Sequence, residues 1–159
     1  MSLVFRLLWG ASLSLPESSA FLRVLMSPTA EARPLTNIPP EKRPRVLVVD
    51  DDKRLANALC VVLNQHGFDT SVAYSGAKAI ETALISRPDF ILMDVMMKKI
   101  DGVDAAIAIC ELLPRCRILL MSGAEDAIQK LEKGAKRGHQ FELMMKPVLA
   151  ASLLEKLQS

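Results

Sequence analysis

The sequence has no CxxC pair and no apolar run near the roughly 18 residues that suggest a membrane span, and past residue 44 it has no surplus of either charge. Each absence removes a class of function. Three cysteines (Cys60, Cys110, Cys116) and two distant histidines (His66, His139) offer neither a disulfide framework nor zinc-ligand spacing. They read as buried or half-buried thiols in a reducing cytoplasm. Charges or prolines break every apolar stretch, so no transmembrane helix and no membrane partner are expected. From Arg45 to the end there are 15 Lys+Arg and 15 Asp+Glu, which leaves the net charge of +2 in residues 1–44. A domain that grips phosphate backbones shows a basic surplus, so direct nucleic-acid binding is not expected.

What is present suits one compact domain: 159 residues, 50% hydrophobic and 24% charged. Residues 1–44 stand apart, with a Leu/Ser-rich opening followed by Pro16, Pro28, Pro34, Pro39 and Pro40, among which no periodicity survives. They are read as a disordered or misassigned N-terminal extension, Met26 being an alternative start. A signal peptide is the competing reading, resting on Arg6, the run Leu7 to Leu15 and the small residues Ser18-Ser19-Ala20. The folded domain is placed at 45–159.

There, short apolar runs alternate with helix-length amphipathic segments, the mark of βα units around a parallel sheet. The runs are VLVV (46–49), TSVA (70–73), FILM (90–93), ILLM (118–121) and LMM (143–145). Between and after them, helices are predicted over Lys53 to His66, Ser75 to Ser86, Val103 to Leu113, Ala124 to Ala135 and Ala151 to Leu157. Leu55, Leu59, Val62 and Leu63 make one stripe on the first, and Gly67 supplies its stop. The fold class is α/β, a (βα)5 doubly wound parallel sheet. Open sheets of this kind gather chemistry at the carboxyl ends of their strands. Those ends carry Asp50-Asp51, Asp94, Ser122 and Lys146.

The motifs VLVVDDD (46–52), ILMD (91–94), DG (101–102), LLMSG (119–123) and KP (146–147), in this order, give the region from Arg45 to about Gln158 its identity. It resembles the receiver domain of two-component response regulators, including the single-domain chemotaxis type. The resemblance implies a flavodoxin-like strand order 2-1-3-4-5. It implies Mg²⁺ held by Asp50, Asp51, Asp94 and the backbone carbonyl of Met96, with Asp94 as phosphoacceptor and Lys146 and Ser122 assisting. The chemistry is consistent: clustered carboxylates repel, and a hard divalent ion with oxygen ligands relieves the conflict.

On this reading the chain is a stand-alone cytoplasmic phosphorelay protein. It takes a phosphoryl group from a sensor histidine kinase or histidine phosphotransfer protein and presents a changed surface to an unidentified protein target. It is not an enzyme beyond its own aspartyl phosphorylation and dephosphorylation. Two other readings are carried: a phosphorylation-independent receiver-like binding module, and a haloacid-dehalogenase-like phosphatase with Asp50 as nucleophile, Asp52 as acid/base, and Ser122 and Lys146 as its later motifs.

Several positions depart from the family. Leu143 stands where it has an aromatic, with Phe141 on the wrong step; Lys98 stands where proline is usual, followed by Lys99. Met96 and Ala124 occupy positions that modulate phosphoryl lifetime. The Lys146-Pro147 bond is cis in the family. The stretch Lys133 to Gln140 is long and is expected to bulge on the output side. Asp52 is read as a helix cap and Asp101-Gly102 as a structural turn. Lys130, Lys133, Lys136, Arg137 and His139 are read as a solvated basic face, with a partner surface as the sharper alternative. Met93, Met96, Met97, Met144 and Met145 are read as core and loop packing rather than a ligand box.

Overall fold

The computed structural model describes residues 39–98, 101–123 and 127–158. The signal-peptide and alternative-start readings, and the remarks on Lys99 and Ala124, lie outside the described residues. A single 3-10 turn, Pro40–Lys42, leads into β1 (Arg45–Val49). There follow α1 (Lys53–Gln65), β2 (Asp69–Ala73), α2 (Gly76–Ser86) and β3 (Phe90–Asp94). The chain continues through α3 (Gly102–Leu112), β4 (Arg117–Ser122), α4 (Ala127–Lys136), β5 (Glu142–Met145) and α5 (Ala150–Gln158).

The five strands form one parallel sheet in the order β2-β1-β3-β4-β5, as the resemblance implied. Successive side chains point to opposite faces, so β1 feeds two cores at once. Val46 and Val48 pack with Ala56, Leu59 and Leu63 of α1 and Leu153, Leu154 and Leu157 of α5. Leu47 and Val49 pack on the other face with Ala79 and Ala83 of α2 and Val103, Ala106 and Ile107 of α3. Burial on both faces explains the unbroken apolar runs of the central strands.

Local signals set the helix ends. Asp52 caps α1, its Oδ1 accepting from the amides of Arg54 at 2.9 Å and Leu55 at 3.4 Å, and Ser75 caps α2 through Lys78. Each such cap is worth about 1 kcal/mol. Gly67 ends α1 with φ of +86°, a conformation open to glycine.

The stretch Lys133 to Gln140 is only partly a connection. Half of the stretch 133–140 is the last turn of α4 rather than a bulge, and His139 N closes it onto Gly134 O at 3.0 Å. A Cβ on Gly134 would lie 3.0 Å from Phe141 Cδ2, so the residue lets the aromatic pack close to the helix. The stretch is thus divided between the end of α4 and a short connection that leads into β5.

Candidate functional site

The site lies where β1, β3, β4 and β5 end. Asp50 follows β1 and is held by its amide donating to Ala73 O. Its Oδ1 accepts from the amide of Asp52 at 2.8 Å. Asp94 closes β3 and Ser122 closes β4; Asp50, Asp94 and Ser122 are all buried. Lys146 follows β5, its amide donating to Ser122 O at 2.8 Å, and the Lys146-Pro147 bond is cis.

One ammonium joins two carboxylates: Lys146 Nζ stands 3.0 Å from Asp50 Oδ2 and 2.9 Å from Asp94 Oδ1. Burial alone would lower the Lys146 pKa, but the bonds and charges of Asp94 and Asp50 outweigh it and raise it. The lysine stays charged. Burial pushes the Asp50 carboxyl up, the charge of Lys146 opposes this, and the neighbouring Asp94 adds to the rise. Crowded carboxylates of this kind suit a cation.

Asp50, Asp51 and Asp94 each offer an oxygen, and these lie within 4.8 Å of one another. Only carboxylate oxygens make up this set, which fits a hard ion such as Mg²⁺ rather than zinc. Asp51 is half-buried and faces Lys98, whose Nζ is 3.9 Å from its Oδ2. Both oxygens of Asp50 are engaged, whereas Asp94 Oδ2 has neither a hydrogen bond nor an ion pair among the described residues. Ser122 Oγ donates to the adjacent Gly123 O at 3.1 Å, a local bond that is easily exchanged.

The structure brings Asp50, Asp51, Asp94 and Lys146 together and sets Ser122 on the neighbouring strand end. Met96 lies two residues beyond Asp94 with its side chain exposed. Among the methionines, Met93 and Met144 are buried and Met97 packs half-buried against the core, as the packing reading has it, whereas Met96 and Met145 are exposed on the rim.

Two features exceed the sequence reading. Gly102 N donates to Val95 O, and a Cβ there would sit 2.1 Å from the Asp94 carbonyl oxygen. The glycine of DG thus allows α3 to abut the backbone of the phosphoacceptor candidate. Asp101 caps α3 through Val103 N and also pairs with Lys130 and with Lys133 at 3.5 Å. Asp104 takes Lys133 at 2.7 Å and Arg137 at 3.3 Å. Lys130, Lys133 and Arg137 thus form a latch that holds α4 to α3 through these acids, while Lys136 and Arg137 remain exposed. The acids at 101 and 104, one helical turn apart, were its only sequence signal.

The sequence profile of the response regulator receiver domain matches residues 46–158. A transcriptional regulatory protein PrrA of Mycobacterium leprae is 34% identical over 119 residues, 73% of this chain and 49% of that protein. A DNA-binding response regulator MtrA of Mycolicibacterium smegmatis is 32% identical over 123 residues, 74% of this chain and 50% of that protein. The chain thus spans about half the length of these curated relatives. Among solved structures, the signal receiver domain of a modulated diguanylate cyclase from Desulfovibrio desulfuricans superposes with a TM-score of 0.65. Identity there is 30%, covering 73% of this chain and 91% of that one.

Proposed function

The chain belongs to the response regulator receiver family, and from this membership we propose that it accepts a phosphoryl group on Asp94 from a phosphohistidine of a kinase or phosphotransfer protein. The observation that carries the reading is the Asp94 carboxylate. It is buried, fixed through Oδ1 by Lys146, and, among the described residues, without a partner at Oδ2 beside two further carboxylates. Attack by Oδ2 on phosphorus forms the P–O bond of an acyl phosphate as the P–N bond breaks and imidazole leaves. Asp50, Asp51, Asp94 and the Met96 carbonyl would hold Mg²⁺, which supplies charge neutralisation at the phosphoryl oxygens.

Lys146 balances the same charge from the other side and is pre-placed for it by β5. The Ser122 hydroxyl exchanges its bond to Gly123 O for one to the new phosphoryl oxygen, drawing the end of β4 inward. The changed surface is then read by a protein target. Leu143 is half-buried against the core and Phe141 stacks on His139, so the shift runs through the backbone of this loop and not through an aromatic rotamer. A cytoplasmic location belongs to the same proposal; among the described residues no helix is long and apolar enough to cross a membrane.

The phosphatase alternative needs Asp50 as nucleophile and Asp52 as proton donor. Here both Asp50 oxygens are engaged and Asp52 caps α1, which favours Asp94. The test is incubation with Mg²⁺ and a small acyl phosphate. A single phosphoryl group mapped to Asp94 and lost in Asp94→Asn supports the reading, whereas labelling at Asp50 supports the phosphatase. No labelling at saturating donor supports the binding module.

A further inference from the structure

Two cations divide the carboxylate cluster between them. Lys146 holds Asp50 and Asp94, while Lys98, on the β3–α3 loop, faces Asp51. Among the described residues Asp51 has no other ion-pair partner. We infer that Lys98 is a positioning residue that competes with the divalent cation for Asp51 and so sets how tightly the unphosphorylated chain holds its metal. This rests on the proposed reading of the cluster as a Mg²⁺ site.

A divalent ion among Asp50, Asp51 and Asp94 takes over the charge that Lys98 neutralises and repels an ammonium only a few ångströms away. The lysine side chain is 90% exposed, so it has open solvent into which to swing, and the repulsion is screened. The penalty is therefore modest rather than prohibitive. Phosphorylation of Asp94 reverses the balance, because a phosphoryl group adds negative charge beside the loop and gives the ammonium a new partner. Lys98 thereby disfavours metal in the resting state more than in the phosphorylated state, which makes metal and phosphoryl binding mutually reinforcing. Lys146 differs in being largely enclosed between Asp50 and Asp94, so it has less freedom to swing away than the exposed Lys98.

The test is calorimetric titration of Mg²⁺ alone into the full chain at low ionic strength, for the wild type, Lys98→Gln, Lys98→Arg and Asp51→Asn. Lys98→Gln should bind about three- to tenfold more tightly, a gain that shrinks at high salt, and Lys98→Arg should stay within about twofold of the wild type. Thermal melts of the variants in chelator check that the fold is intact. Equal or weaker binding by Lys98→Gln, with binding lost in Asp51→Asn, overturns the role of Lys98 and leaves the metal site standing. Unchanged binding by Asp51→Asn instead overturns the metal site itself.

Discussion

The Lys146 ammonium lies 2.9 Å from Asp94 Oδ1, although β4 separates the two strands that carry them. The same ammonium reaches Asp50 at 3.0 Å, so one side chain ties three strand ends together and offsets two buried carboxylates. Replacing it leaves those charges facing each other. Lys146→Met is expected to lose about 2 kcal/mol in chelator, less than the roughly 3–5 kcal/mol for breaking a fully buried pair because the lysine is partly exposed. Urea denaturation gives the number, and an unchanged midpoint would deny the lysine this role.

Metal should stabilise the fold through the same cluster. Ligand binding to the folded state alone contributes about 1.4 kcal/mol at tenfold excess over Kd. The thermal midpoint should therefore climb with Mg²⁺ and return to its starting value with chelator. In Asp51→Asn the climb should be largely lost, since one of the three clustered oxygen donors is then neutral. A Mg²⁺ response equal in variant and wild type would place the ion elsewhere.

The latch between α3 and α4 has a pH signature. Burial pushes the Asp101 carboxyl up, but the hydrogen bonds from Lys130 and the Val103 amide, with the charges of Lys130 and Lys133, hold it below its usual range. A carboxyl depressed in the folded state contributes stability at pH above its unfolded value of about 3.9, and that stability is lost as pH falls through the folded value. Asp101→Asn should thus be destabilised by about 1 kcal/mol between pH 5 and 7, with the gap to the wild type closing in stronger acid. Denaturation across this pH range checks it. A double-mutant cycle with Lys130→Met should show coupling that weakens in salt.

Gly102 tests the buttress beneath Asp94. A methyl group there meets a backbone oxygen at 2.1 Å, and neither partner is a flexible side chain. Gly102→Ala is expected to cost about 3 kcal/mol, the top of the range for overpacking, and to slow Asp94 phosphorylation in whatever fraction stays folded. Gly123 is the control, since a Cβ there meets nothing within 4 Å.

Much of this was legible in the chain because both signals are local. Unbroken runs such as FILM mark strands buried on both faces, and the acids, serine and lysine directly after them mark the functional edge. Apart from the start of α4, predicted at Ala124 and lying outside the described residues, strand and helix limits differ from the predicted ones by about a residue, as at Ser75, which is the cap of α2 and not its first turn. The Asp101–Lys130 and Asp104–Lys133 pairs were not legible, because they link residues 29 apart through the packing of two helices. Read along the sequence, Lys130 to Arg137 is only a charged helix face. The duty of Gly102 was hidden for the same reason: a turn glycine looks alike whether or not a backbone passes beneath it. Lys98 was visible as a departure, but the carboxylate that it faces emerged only in three dimensions.

The central claim is that Asp51, Asp94 and Lys146 share one phosphoryl-sized ligand. Fluorine NMR of the full chain with Mg²⁺ and beryllofluoride, a mimic of the phosphoryl group, tests this directly. The expected result is one bound state that needs Mg²⁺, disappears in Asp94→Asn, and weakens in Lys146→Met. A bound signal that survives Asp94→Asn, or none at saturating ligand, would contradict it.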